Sequence, residues 1–189
     1  MGQAKTFTAV EFASIQEFVA NRRYAQRNRM LLLMSFWSGM RVGEIASLLV
    51  DDVVDARGTV KQEIRLAAAQ TKGNFARTVF LADKLRAELQ LYVDARSTRD
   101  RKQAFFLTAS GKPFSANVLT QHFFWLYRKA GIDGASSHSG RRSFITNLAS
   151  KGIGVRVLAS LAGHRSIAVT QKYIDVNDDM KRNAVELIA

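Results

Sequence analysis

The chain has 189 residues, 47% of them hydrophobic and none of them cysteine: enough apolar material for one core, and none for disulfides or thiolate metal sites. Its formal charge of +12 exceeds what solubility needs and points to a polyanionic partner, nucleic acid ahead of an acidic membrane surface. The longest apolar run, Met30 to Trp37 interrupted by Ser35, is too short to span a bilayer, and the start lacks the apolar stretch of a secretory signal.

Thr8 followed by Glu11 makes a capping box, and Phe12, Ile15, Phe18 and Val19 recur at helical spacing, so a first helix is expected to run to about Asn21. A second, largely buried helix should cover Ala25 to Ser38, stop at Gly39 and restart near Val42. Arg22, Arg23, Arg27 and Arg29 crowd the junction of the first two helices, as a solvated face or as phosphate contacts. From Val53 to Leu81 the texture changes. Arg57-Gly58 reads as a turn, Val60, Ile64 and Leu66 alternate, Lys72-Gly73-Asn74 makes a second break, and Thr78 to Leu81 closes a small antiparallel sheet. Helices are expected again over Ala82 to about Ala95 and, after the turn Ser110 to Pro113, over Ser115 to Ala130. From about Arg141 short helices follow, broken at Gly152, Gly154 and Gly163, with a last one near Asp178 to Ile188. The fold class expected is therefore mainly α with a small antiparallel β-sheet, as one domain over residues 1–189.

Moving a phosphodiester onto a protein side chain needs a nucleophile, a proton acceptor, a proton donor for the leaving oxygen, and cations around the developing charge. Arginine suits the last task because its planar guanidinium stays ionised and donates paired hydrogen bonds to phosphate oxygens. Two arginines stand at helix starts among small residues: Arg41 in Ser38-Gly39-Met40-Arg41-Val42-Gly43-Glu44, and Arg141 in His138-Ser139-Gly140-Arg141-Arg142-Ser143. Taken singly, such an arginine is more often a surface or salt-bridged residue. His122, among Phe123, Phe124 and Trp125, reads as a packed or capping residue, and scattered histidines without cysteine make a poor metal site. Tyr173 alone would be a half-buried core aromatic.

The register of Leu161-Ala162-Gly163-His164 with Thr170 and Tyr173, the tyrosine nine positions after the histidine, together with the upstream His138-x-x-Arg141, resembles the active-site boxes of tyrosine recombinases, the integrase family. The same resemblance makes Arg41 the first family arginine, Glu44 the acidic residue that follows it, and Lys72 the family's hairpin lysine. What it implies is a type IB mechanism. Tyr173 attacks the scissile phosphate to leave a 3′-phosphotyrosyl bond and a free 5′-hydroxyl, while Arg41 and Arg141 clamp the non-bridging oxygens and His164 donates to one of them. His138 assists proton transfer from the tyrosine, and Lys72 protonates the departing 5′-oxygen. No cofactor, metal or nucleotide is implied. Arg142, Arg165, Lys172, Arg22, Arg23 and Arg27 are the candidate contacts to neighbouring phosphates.

Met40 and Arg142 depart mildly from the family pattern, and the family's upstream core-binding domain has no room in this chain, which implies either a fragment or a short recombinase resembling the fimbrial-switch inverting enzymes. The implied partner is double-stranded DNA, bound as a tetramer through the C-terminal segment with Val185, Leu187 and Ile188 as anchors, in the cytoplasm and without a membrane. A topoisomerase-like relaxing enzyme and a non-cleaving DNA-binding regulator are the alternatives. An RNA-binding protein lacks a matching aromatic motif.

Overall fold

The computed structural model describes residues 4–96, 100–174 and 178–186. Thr8 caps the first helix as its spacing predicts: its Oγ1 accepts from Glu11 N and the Glu11 carboxylate accepts from Thr8 N, opening α1 (Ala9–Ala20) with Asn21 as its C-cap. The side chains at the inward spacing, Phe12, Ile15 and Val19, are buried.

α2 (Ala25–Ser38) is the central element, with Met30 through Ser35 all buried. An apolar run without a polar face can be stable in water only if packed on several sides, and α2 meets α1, α3 (Val42–Ala46), α5 (Asp83–Asp94) and α7 (Ser139–Ser150). Gly39 ends α2 in the left-handed region at φ 64°, and a Cβ there would fall 2.4 Å from the Phe144 ring. Both constraints admit only glycine, so the chain turns at that point into Met40 and Arg41.

The sheet is shorter than expected. Val53 ends a four-residue helix, α4 (Val50–Val53), instead of opening a strand. Two four-residue strands remain, β1 (Glu63–Leu66) and β2 (Arg77–Phe80), paired antiparallel with Ile64 opposite Val79 and Leu66 opposite Arg77. The Arg57-Gly58 turn closes only an isolated bridge between Val54 and Val60. The connection from β1 to β2 holds a 3-10 turn, Ala68–Gln70, and then the Lys72-Gly73-Asn74 break.

α6 (Ala116–Lys129) is capped by Ser115, whose Oγ accepts from Val118 N. α7 begins two residues before the expected Arg141, with His138 at its N-cap. α8 (Val155–Ala162), α9 (Ile167–Gln171) and α10 (Asp178–Glu186) follow, with Gly152 and Gly154 before α8 and Gly163 after it. Leu187 and Ile188, expected in the last helix, lie outside the described residues. Leu31, Leu33, Ile64, Leu85, Leu89, Phe105 and Phe123 are fully buried in one cluster, each such burial worth about 1.5–3 kcal/mol against exposure. The chain is thus mainly α with a small antiparallel sheet, and no helix among the described residues is long and apolar enough to cross a membrane.

Candidate active site

The site is organised by the end of α8. The last carbonyls of a helix have no partner within it and carry the negative end of its dipole. Here successive carbonyls are each met by an arginine from a different part of the chain: Leu161 O by Arg77 Nη1 at 2.9 Å, Ala162 O by Arg141 Nη2 at 2.5 Å, and Gly163 O by Arg41 Nη2 at 2.9 Å. Gly163, at φ 62°, closes the helix and leaves room for Arg77, whose Cδ would lie 2.6 Å from a Cβ there.

Arg141 also donates to Gly39 O at 2.6 Å, so one guanidinium ties the ends of α2 and α8 together. It is buried, and burial with the neighbouring charge of Arg41 brings its pKa down to about 9, which still leaves it charged at neutral pH. Arg41 stands just before α3 and is steadied by Glu44, whose carboxylate accepts from Arg41 N at 2.8 Å and Arg41 Nη1 at 2.9 Å. The same carboxylate takes Arg77 Nε at 3.1 Å and Nη2 at 2.7 Å. Burial pushes the pKa of Glu44 up, but the hydrogen bonds and charge of Arg77, with those of Arg41, outweigh it and hold the group below the usual carboxylate range. A guanidinium has more N–H donors than these contacts use, so Arg41 and Arg141 are fixed in place while keeping donors for an anion.

Immediately after α8, His164 Nδ1 lies 2.9 Å from the buried Thr170 Oγ1, and the His164 ring stacks on the Tyr173 ring at 5.8 Å between centroids and 19° between planes. Tyr173 N donates to Thr170 O, and Thr146 Oγ1 on α7 donates to Tyr173 O at 3.3 Å, which fixes the backbone that carries the phenol. Desolvation, with Arg141, Arg41 and Arg77 close by, lowers the His164 pKa to about 4, so the ring is neutral at physiological pH.

His138 is exposed at the start of α7, and its pKa is lowered by partial desolvation and then by the charges of Arg141, Lys72 and Arg41. Lys72 is exposed on the connection between the strands, which Thr71 Oγ1 braces by donating to Phe75 O at 2.7 Å and accepting from Phe75 N at 3.1 Å. Arg165, next to His164, lays its guanidinium over the Phe75 ring at 4.4 Å and so joins this connection to the end of α8.

Among the candidate phosphate contacts, Arg142 holds its guanidinium 5.6 Å from the Tyr173 ring centre, with Nε buried and unpaired. Lys172 is exposed. At the α1–α2 junction Arg22 and Arg23 are exposed and stack on Phe18 and Tyr24, while Arg27 is partly buried. Arg27 donates to Leu107 O at 2.9 Å and twice to Asn28 Oδ1, and lies over Tyr24 and Phe114, so these donors serve the packing of α2. Arg29 pairs with Glu88. His122 is packed, as its setting implied: it meets Asn28 Oδ1 at 3.1 Å and Phe114 edge-on.

Sequence reasoning missed Arg77. The signal was there in the strand alternation, which puts Arg77 on the same face as the buried Val79, and an inward-facing charge needs a buried counter-ion.

A profile of the phage integrase family matches residues 5–180. The chain is 28% identical over 187 residues to the tyrosine recombinase XerA of Pyrococcus furiosus, covering 96% of this chain and 61% of that protein. It is 30% identical over 177 residues to the tyrosine recombinase XerD of Oceanobacillus iheyensis, covering 88% and 56% respectively. Among solved structures, a XerA recombinase is similar with a TM-score of 0.77 at 25% identity, over 99% of this chain and 64% of that one. The Tn1549 transposon integrase in complex with circular intermediate DNA shares the fold with a TM-score of 0.75 at 19% identity, over 100% and 68%. The chain spans 56–61% of the length of these two curated relatives.

Proposed function

The chain belongs to the phage integrase family, and on that premise we propose that it is the catalytic domain of a site-specific DNA recombinase that cleaves and rejoins strands through Tyr173. The observation that carries this reading is the convergence of Arg41, Arg141 and His164 on the end of α8, with the Tyr173 ring stacked 5.8 Å from that of His164.

In this reading the Tyr173 phenol oxygen attacks phosphorus, the bond from phosphorus to the 5′-oxygen breaks, and the strand leaves with a free 5′-hydroxyl. The phosphotyrosyl ester conserves the energy of the broken linkage, so rejoining is the same step reversed onto another 5′-hydroxyl. Arg41 and Arg141 hold the non-bridging oxygens, and the neutral His164 donates through Nε2. Each preorganised donor is worth roughly 3 kcal/mol where charge develops. His138, made less basic by partial desolvation and then by its cationic neighbours, takes the phenol proton, and Lys72 supplies one to the leaving oxygen. Arg142, Arg165, Lys172, Arg22 and Arg23 contact flanking phosphates of the duplex, in keeping with the net charge of +12. The protein acts in the compartment that holds that DNA, the cytoplasm, and assembles as a tetramer through its C-terminal segment. On that segment Val185 is 65% exposed in the isolated chain.

The test is covalent trapping on nicked suicide duplexes. The wild type is expected to give an SDS-resistant adduct that the Tyr173→Phe protein does not, with four protomers on paired sites in a native gel. An adduct that persists in Tyr173→Phe removes this nucleophile, and complexes that never exceed one protomer per isolated site remove the tetramer.

A further inference from the structure

Arg77 belongs to no part of the chemistry just described, yet it is bound more completely than either arginine that does. Its side chain is 10% exposed, it holds both oxygens of Glu44, and it donates to Leu161 O. Glu44 is 1% exposed and faces Arg41 on its other side. A carboxylate so deeply buried takes whatever cation is within reach, because an uncompensated charge there is costly.

We propose that Arg77 is a positioning residue for the cleavage reaction: by occupying Glu44, it stops that carboxylate from drawing the Arg41 guanidinium out of the phosphate site. Arg41 at present gives Glu44 one guanidinium nitrogen and its backbone N–H, and spends its other terminal nitrogen on Gly163 O. With Arg77 removed, the only cation hydrogen-bonded to Glu44 among the described residues is Arg41. The favoured geometry of a lone arginine and carboxylate is the two-bonded fork, so Arg41 would release Gly163 O and turn onto Glu44. Arg77 also sits five positions after Lys72 on the connected strand, so the same contact anchors the strand that follows the lysine to the end of the helix that precedes His164.

The inference rests on the recombinase reading for its kinetic consequence but not for its structural one, and the experiment uses both. In the DNA-free Arg77→Met protein, a crystal structure is expected to show Arg41 in a two-bonded contact with Glu44 and Gly163 O released. Arg41 left in its present place overturns the proposal whatever the enzyme does. In single-turnover trapping, Arg77→Met is expected to form the Tyr173 adduct about 100- to 1,000-fold more slowly, the scale of losing one preorganised donor. DNA affinity should hold to within about threefold, since the lost interaction belongs to the transition state.

Glu44→Gln closes the cycle. With the carboxylate gone there is nothing to hold off, so Arg77→Met made in Glu44→Gln should cost no more than about threefold, and the double variant should react faster than Arg77→Met alone. An equal loss in both backgrounds assigns Arg77 to structure alone and overturns the proposal. Should Arg77→Met fail to fold, Arg77→Lys takes its place: it keeps the charge but not the fork, and its rate should fall below wild type and recover in Glu44→Gln. A wild type with no Tyr173-dependent adduct sinks the recombinase reading and leaves this one to the position of Arg41.

Discussion

Thr170 is the smallest group in the site with a defined task. A neutral imidazole has one N–H, and which nitrogen carries it follows from what the other nitrogen meets. The buried Thr170 hydroxyl lies 2.9 Å from Nδ1; as the donor in that contact it keeps the proton of His164 on Nε2, where a phosphate oxygen can accept it. Thr170→Val keeps the shape and removes the hydroxyl. Cleavage is expected to slow by about tenfold, the lower end for loss of such an orienting partner, while Thr170→Ser stays near wild type; a Thr170→Val enzyme as fast as wild type would leave the hydroxyl without this role. His164, Thr170 and Tyr173 were legible in the sequence because they lie on one short stretch in fixed register, and Arg41 and Arg141 because each stands at the start of a helix close after a glycine. For Arg77 the strand alternation showed only that it faces inward, since its partners Glu44 and Leu161 lie 33 and 84 residues away and only the folded chain brings them together.

Among the elements, the crossing of α2 with α7 sets how closely Arg141 approaches the end of α2. At Gly140 the helices nearly touch: a Cβ would stand 2.3 Å from Ser35 Oγ, 2.9 Å from Ser35 Cβ and 3.2 Å from the Ser35 carbonyl carbon. A rotamer change can move the hydroxyl but not the other two atoms, so Gly140→Ala must push α7 away from α2 and carry Arg141 off Gly39 O. The expected cost is about 1–3 kcal/mol, typical of forcing atoms into a packed core, read as a lower urea midpoint at unchanged slope. Ser35→Gly in the same chain should recover part of it, and no recovery would place the strain elsewhere. Helix starts were readable where a side chain caps them, as Thr8 and Ser115 do. The sheet was over-read at Val53 for a related reason. Asp52 accepts from Leu49 N at 2.9 Å, a helix-start contact, while Val50 N and Asp51 N bond to Gln103 O and Arg101 O from a distant loop. Those partners hold α4 in a stretch whose branched residues otherwise suit a strand.

Over the whole molecule, every histidine is held less basic than usual. His122 falls from 6.5 to about 4 through burial and then the charge of Arg27, His164 falls to about 4, and His138 shifts the same way. A folded state that refuses protons which the unfolded chain accepts loses stability as pH falls. The slope of unfolding free energy with pH follows the excess of protons bound by the unfolded chain, positive here between about 4 and 6.5. Stability at pH 7 should therefore be retained down to about 6.5 and decline from there to about 4, with Glu44, held below the usual carboxylate range, adding to the loss once the unfolded chain's carboxylates take up protons. Replacing His122, which lies away from the phosphate site and packs against Asn28 and Phe114, separates this effect from catalysis. His122→Gln keeps a donor for Asn28 and removes the titrating group, so its urea midpoint should fall less steeply than that of the wild type across the same interval. Parallel curves for the two proteins would mean that His122 takes up its proton as readily in the folded chain as in the unfolded one, and the acid sensitivity would then rest with His138 and His164 at the site itself.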